Sequence, residues 1–118
     1  MAYEIIYFEK SNGRKPVWDF LDDLGKKNQR LRASVLRDMA LLRQFGRSLK
    51  FPDVRSMGDG LYELRSQAGS DIARVFYFFF DGRKIVVTNG FVKKTPKTPT
   101  RELTKAIRYK KEYEETHG

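Results

Sequence analysis

One turn sets the topology that this chain can adopt. Asp81-Gly82 separates two strand-like runs, IARVFYFFF at residues 72–80 and KIVVTNGFV at residues 84–92. Because Asp-Gly tolerates the positive φ that tight hairpins need, the two runs are predicted to pair antiparallel. A third run, LYELR at residues 61–65, alternates apolar and polar side chains. Together the three runs predict an antiparallel meander with the 72–80 strand covered on both faces.

The segments before the meander predict one strand and two helices. AYEIIYF at residues 2–8 is rich in β-branched and aromatic residues, which favours a strand. A helix is expected from Pro16 to Gly25 and a second, longer one over residues 28–46. The apolar residues at helical spacing in the first helix are Val17, Trp18, Phe20, Leu21 and Leu24.

The C-terminal segment predicts a third helix, from Pro99 to about residue 115, with Thr98 as its cap. Its apolar side is expected to carry Leu103, Ile107 and Tyr113. The whole chain, residues 1–118, then forms one α+β domain: an antiparallel sheet of about four to five strands with a mixed edge, an N-terminal helical hairpin and a C-terminal helix. The sheet face opposite the hairpin is expected to be open for a ligand.

Composition narrows the class of protein. The chain has no cysteine and one histidine, His117, which is predicted to be a frayed terminal residue. No apolar run is long enough to span a bilayer, and the first residues do not resemble a signal peptide, so we expect a cytoplasmic protein without metal or cofactor. Its net charge is +9, and the excess lies in residues 26–50, with 8 basic and 1 acidic side chains, and in residues 83–118, with 10 and 4. This layout favours a polyanionic partner.

Four cations are predicted to converge on the meander. Arg65 ends the first strand, Arg74 lies early in the second, and Lys93 and Lys94 follow the third. Arg74 has two readings: a structural ion pair with Glu63 on the adjacent strand, or a contact to phosphate. Converging arginine and lysine side chains are typical of phosphate recognition.

A cationic site of this kind suits RNA cleavage by the RNA's own 2′-hydroxyl, which needs no metal. A base must take the 2′ proton and an acid must protonate the leaving oxygen. The candidates are Glu63, a lysine with a lowered pKa, or a tyrosine such as Tyr109. Lys97, Glu63 and Tyr109 are predicted to contact RNA, although Lys97 also fits a simple loop charge.

The segment LYELRSQAGSDIARVFYFFFDGRKIVVTNGFVKKTPKTP resembles the core of the RelE superfamily of type II toxins, in its phage-derived HigB-like branch. The shared pattern is an "ELR" strand, an arginine-led apolar strand, and a third strand that ends in "FxKK" before a Lys-Thr-Pro segment. The resemblance implies a RelE-like fold and places Arg65, Arg74, Lys93 and Lys94 in the site. The lysines that other RelE members carry in the second strand are replaced here by Leu61 and Glu63.

The resemblance also implies a function and partners. It predicts an mRNA endoribonuclease acting at the ribosomal A site, neutralised by a helix-turn-helix, HigA-like antitoxin that forms an operator-binding complex with it. Two alternatives stay open: a ParE-like toxin that acts on DNA gyrase, and a non-catalytic RNA-binding module. The C-terminal tyrosine of the family is matched by Tyr109 or Tyr113.

Overall fold

A computed structural model describes residues 2–50 and 52–118, which form three α-helices, a short 3₁₀ turn and one five-stranded sheet. The sheet order is β1-β5-β4-β3-β2; β1 runs parallel to β5 and the other neighbours are antiparallel. The predicted α+β class with a mixed edge is confirmed. The elements are β1 (Glu4–Tyr7), α1 (Pro16–Lys27), α2 (Gln29–Phe45), the 3₁₀ turn (Gly46–Ser48), β2 (Val54–Gly58), β3 (Leu61–Ala68), β4 (Asp71–Phe80), β5 (Lys84–Lys93) and α3 (Thr100–His117).

The hairpin between β4 and β5 forms where the Asp-Gly pair predicts it. Asp81 has a φ of +54° and Gly82 a φ of +76°, and Phe80 pairs with Lys84 across the turn. Asp81 is one of the few residue types that adopts positive φ at small cost. The turn therefore sets the register of β4 and β5 as far as the pair Tyr77–Val87, beyond which a β-bulge opposite Phe76 shifts it by one residue.

The central strand β4 is buried on both faces, as its apolar run predicts. Val75 and Tyr77 pack with residues of α1 and α2, while Phe76 and Phe78 belong to clusters under α3. The expectation of an open face opposite the helical hairpin is therefore wrong in part, because α3 contacts β3, β4 and β5 there. The part of this face beyond the helix carries the polar residues of the candidate site.

The helical hairpin begins at Pro16, as predicted, but Gly25 does not end its first helix. α1 continues to Lys27, and Asn28 caps both helices: its N–H donates to the Leu24 carbonyl at 2.7 Å, and its Oδ1 accepts from the Leu31 N–H at 3.1 Å. A Cβ on Gly25 would lie 3.3 Å from the Cδ of Arg32. The glycine therefore leaves room for the Arg32 side chain, whose Nε donates to the Leu21 carbonyl at 3.1 Å, a tertiary role that its position near a helix end does not reveal.

Two residues that are predicted to lie on the core-facing side of their helices are exposed. Trp18 is 60% exposed and Ile107 56%. In α3 the buried side chains are Ala106, Tyr109 and Tyr113, three and four residues apart, and Ile107 lies about 100° around the helix from Ala106. Tyr109 and Tyr113 therefore occupy the side of α3 that faces the core, and Ile107 lies outside it.

Candidate functional site

The candidate site lies on the sheet face that α3 covers, outside the helix. Alternation in β3 places Glu63 and Arg65 on this face with Leu61, opposite Tyr62 and Leu64, as predicted. Residues directly across antiparallel strands share a face, so the register extends the set to the neighbouring strands. Arg74 of β4 pairs with Arg65, and Arg55 of β2 pairs with Glu63. Lys93 of β5 pairs with Ile72, which precedes Arg74 by two residues in β4 and therefore shares its face. We call Arg55, Arg65, Arg74 and Lys93 the cationic cluster.

Glu63 and Arg74 form the buried centre of this cluster. Glu63 is fully buried and Arg74 is 8% exposed, and Glu63 Oε1 lies 3.2 Å from Arg74 Nη1. The distance is that of an ion pair, but the geometry leaves Oε1 without a hydrogen bond, and Arg74 Nε also has none among the described residues. Burial lowers the pKa of Arg74, Glu63 raises it, and Arg65 and Arg55 lower it. An arginine nevertheless keeps its charge, so Arg74 retains unused donor capacity.

The two outer arginines of the cluster differ in how firmly they are held. Arg65 is half-buried, and its Nη2 donates to Gln67 Oε1 at 2.7 Å, while Gln67 Nε2 donates to the Gly69 carbonyl at 2.8 Å. The turn between β3 and β4 therefore fixes its guanidinium. Arg55 is exposed and makes no ion pair within residues 2–50 and 52–118. It is free to turn toward a bound anion.

Lys93 is the titratable cation of the cluster. Burial lowers its pKa, and the positive charges of Arg74, Arg55 and Arg65 lower it further, whereas Glu63 opposes the shift. A lysine whose ammonium is destabilised in this way gives up its proton more readily than a solvated one. Such a shift beside a cluster of fixed charges is typical of functional sites.

The segment after β5 carries the two remaining predicted cations, Lys94 and Lys97, outside the cationic cluster. Lys94 and Lys97 are exposed, and Thr95 Oγ1 donates to the Lys97 carbonyl at 3.0 Å. Thr98 does not cap α3 as predicted: the helix begins at Thr100, with Pro99 as its uncapped N-terminal neighbour. The Thr98 hydroxyl instead donates to Glu63 Oε2 at 2.9 Å. The segment is thereby tied to the buried carboxylate.

The C-terminal aromatic residues lie in the core. The ring of Tyr109, 5% exposed, stacks on Phe8 with 4.7 Å between ring centroids. Its predicted contact with RNA stays a prediction, but base stacking on this ring would require the core to open. His117 is not frayed, since it ends α3 and stacks on Tyr113 at 3.9 Å between centroids.

Two functional candidates were missed from the sequence. Arg55 lies in the short extended piece between Pro52 and the Met57-Gly58 turn, and pairing that piece with the ELR strand would have placed it beside Glu63. Thr98 has the pattern of a helix cap because it precedes a proline at a helix start. No local signal indicates a contact with a residue 35 positions earlier.

The cluster offers positive charge and an unused hydrogen-bond donor on one sheet face. Four cations surround one carboxylate, and among the described residues the buried Arg74 guanidinium keeps an N–H without a hydrogen-bond partner. Arginine forks and lysine ammonium groups in this arrangement fit the oxygens of a phosphodiester. Within residues 2–50 and 52–118 no group of three or more His, Cys, Asp or Glu side chains is placed to hold a metal ion.

The fold and the site define a small, basic α+β protein with a cluster of cations on one face of its sheet. A family model described as "Phage derived protein Gp49-like (DUF891)" matches residues 19–111. The chain belongs to this phage-derived Gp49-like family, a toxin-like family linked to toxin–antitoxin systems. No curated protein matches the chain. In the part of the chain that the structure describes, no helix is both long and apolar enough to cross a membrane.

Proposed function

We propose that this protein is the toxin of a type II toxin–antitoxin pair, similar to the RelE/HigB-like toxins, and that it cleaves mRNA on the ribosome. The observation that carries the proposal is the cationic cluster around Glu63, in which Arg74 Nε is buried and has no hydrogen bond from the described residues. A buried arginine donor of this kind fits a phosphate oxygen of a bound strand. Family membership supports the toxin class.

In the proposed reaction the cluster holds the scissile phosphate. The 2′-oxygen of the RNA attacks the adjacent phosphorus, the bond to the 5′-oxygen breaks, and the products are a 2′,3′-cyclic phosphate and a 5′-hydroxyl. The 2′ proton leaves to a water molecule of the solvent. Arg74, Arg65 and Arg55 stabilise the negative charge that builds on the phosphorane oxygens. Alignment of the RNA comes from the ribosomal A site, which allows a modest set of side chains to suffice.

Lys93 is the proposed general acid that protonates the leaving 5′-oxygen. Its lowered pKa makes the ammonium a better proton donor than a solvated lysine. Glu63 is unsuited to proton transfer with substrate, because it is fully buried and both of its oxygens face Arg74 or Thr98.

Replacing Lys93 with arginine keeps the charge but removes an ammonium group whose lowered pKa lets it give up a proton. We expect the cleavage rate to fall about 100-fold, while RNA binding stays within about twofold. In the wild type the cleavage rate should fall as pH rises through the lowered pKa of Lys93, because a general acid must be protonated. This fall at high pH should be absent from the pH–rate profile of Lys93→Arg. The exposed neighbour gives the control Lys94→Arg. A wild-type rate in Lys93→Arg would show that Lys93 acts by charge alone.

The proposed partners follow from the proposed RelE/HigB-like toxin function. In the cell the toxin would act in the cytoplasm on mRNA bound at the A site and would require no cofactor. A helix-turn-helix, HigA-like antitoxin encoded beside it would neutralise it, and the complex would bind operator DNA. A basic protein with net charge +9 is suited to both RNA and an acidic neutralising partner.

The decisive experiment is induction of the protein with and without its neighbouring gene, followed by mapping of mRNA 5′ ends. We expect growth arrest and new cuts within translated messages, both reversed by the neighbour and both abolished in Arg55→Ala/Arg65→Ala. A matched control is Arg37→Ala, which removes an exposed arginine of α2 on the other side of the sheet. Arrest with intact mRNA and inhibited gyrase would favour the ParE-like alternative. Salt-dependent RNA binding without arrest would favour a binding module.

A further inference from the structure

Glu63 joins two separate parts of the site through one buried carboxylate. It lies in the middle of β3, is fully buried, and has Arg55 and Phe76 as cross-strand neighbours. A buried carboxylate is costly unless both oxygens are compensated. One oxygen lies 3.2 Å from the Arg74 guanidinium, and the other accepts from the Thr98 hydroxyl at 2.9 Å.

Each of these contacts orients a different set of cations. The ion pair holds the Arg74 side chain from the side of Nη1 and leaves its Nε–H without a partner. The hydroxyl bond fastens the segment 94–99, whose own contacts include the turn from Thr95 Oγ1 to the Lys97 carbonyl. Pro96 and Pro99 restrict the backbone on either side of Lys97. The hydrogen bond of Thr98 thus ties the segment that carries the exposed Lys94 and Lys97 to the carboxylate at the centre of the cluster.

We propose that Glu63 is a positioning residue that sets Arg74 on one side and, through Thr98, the segment 94–99 on the other. The kinetic test of this inference rests on the proposed function. The positions of Arg74, Lys94 and Lys97 affect KM and kcat only if these side chains contact RNA. Arg74 would contribute mainly to the transition state, where phosphorane charge builds. The lysines of the segment would contribute to binding of the substrate and transition state alike, which lowers KM.

The two arms of the carboxylate can be separated by conservative variants. Thr98→Val removes the hydroxyl with nearly unchanged shape, and we expect KM for ribosome-bound mRNA to rise about fivefold with kcat unchanged, as for one lost hydrogen bond. Thr98→Ser should restore the wild-type KM. Glu63→Gln removes the charge but keeps an acceptor for Thr98, and we expect kcat to fall about 100-fold with KM within twofold.

A pH profile distinguishes positioning from proton transfer. If Glu63 only positions Arg74, the residual activity of Glu63→Gln keeps every limb of the wild-type pH profile, with the Lys93 limb moved to lower pH because Glu63 no longer raises the pKa of Lys93. If Glu63 moves a proton, the variant loses one limb of the profile, and the proposal is overturned. The control Thr104→Val removes an exposed hydroxyl of α3 and should change neither constant.

A measurement without substrate keeps this inference separate from the proposed function. Hydrogen exchange of the backbone amides in residues 94–98 should accelerate about fivefold in Thr98→Val, and not in Thr104→Val, because the segment loses its anchor. If the protein cleaves no RNA but exchange accelerates, the proposed function fails and the anchoring role stands. If exchange in the segment is unchanged, the anchoring role fails whatever the activity.

Discussion

Replacing Arg74 with alanine is expected to abolish mRNA cleavage and to destabilise the fold at the same time. The substitution removes the cation 3.2 Å from Glu63 and leaves a fully buried carboxylate with only the Thr98 hydroxyl as a partner. Breaking a buried ion pair in this way costs about 3–5 kcal/mol of the free energy of unfolding. Because activity and stability are expected to fall together, urea denaturation must accompany the activity assay.

Two further variants separate the chemical role of Arg74 from its structural role. Arg74→Lys keeps the charge opposite Glu63 but loses the guanidinium fork, so cleavage should fall about 100-fold with a smaller loss of stability. The double variant Arg74→Met/Glu63→Leu replaces the pair with apolar side chains and should recover most of the stability. It should still fail to cleave ribosome-bound mRNA. Wild-type cleavage by the double variant would show that Arg74 is structural only.

Local patterns predict the faces of the cations only in part. The alternation of LYELR puts Glu63 and Arg65 on one face, and the Asp-Gly turn sets the first pairs of the next two strands. These signals depend on neighbouring residues and a period of two, which the sequence displays directly. The shift in register between Val75 and Tyr77 then decides that Lys93 shares the face of Arg74, and no local pattern indicates it. For Arg74 the two readings, ion pair and phosphate contact, are compatible: its Nη1 faces Glu63 while its Nε has no partner.

The features that the sequence did not reveal depend on contacts between distant segments. Thr98 has the local signature of a cap, but it donates to Glu63 in another element. Gly25 has the signature of a helix stop, but it makes room for Arg32. Each residue type fits two structural roles, and tertiary packing determines which role it has here. This packing depends on the assembled fold and not on neighbours in the chain.

The second large effect is expected at Gly46, where α2 ends and β1 is attached. Gly46 has φ +50° and ψ −118°, a conformation open essentially to glycine alone. A Cβ added there would overlap the ring of Tyr3, whose N–H also donates to the Arg43 carbonyl at 2.8 Å. Backbone strain and overpacking each cost about 1–3 kcal/mol. Gly46→Ala should therefore lower the free energy of unfolding by about 4 kcal/mol, measured by urea denaturation.

Gly69 provides the matched control for this prediction. Its φ is +62°, but a Cβ added there would meet nothing within 4 Å, so Gly69→Ala tests backbone strain alone and should cost about 1 kcal/mol. Removing the ring as well, in Gly46→Ala/Tyr3→Ala, should relieve the steric part of the loss and give a favourable coupling energy between the two sites. Equal losses in Gly46→Ala and Gly69→Ala would mean that the Tyr3 ring moves aside freely. The attachment of β1 to the end of α2 would then depend on the backbone hydrogen bond to Arg43 and not on this ring contact.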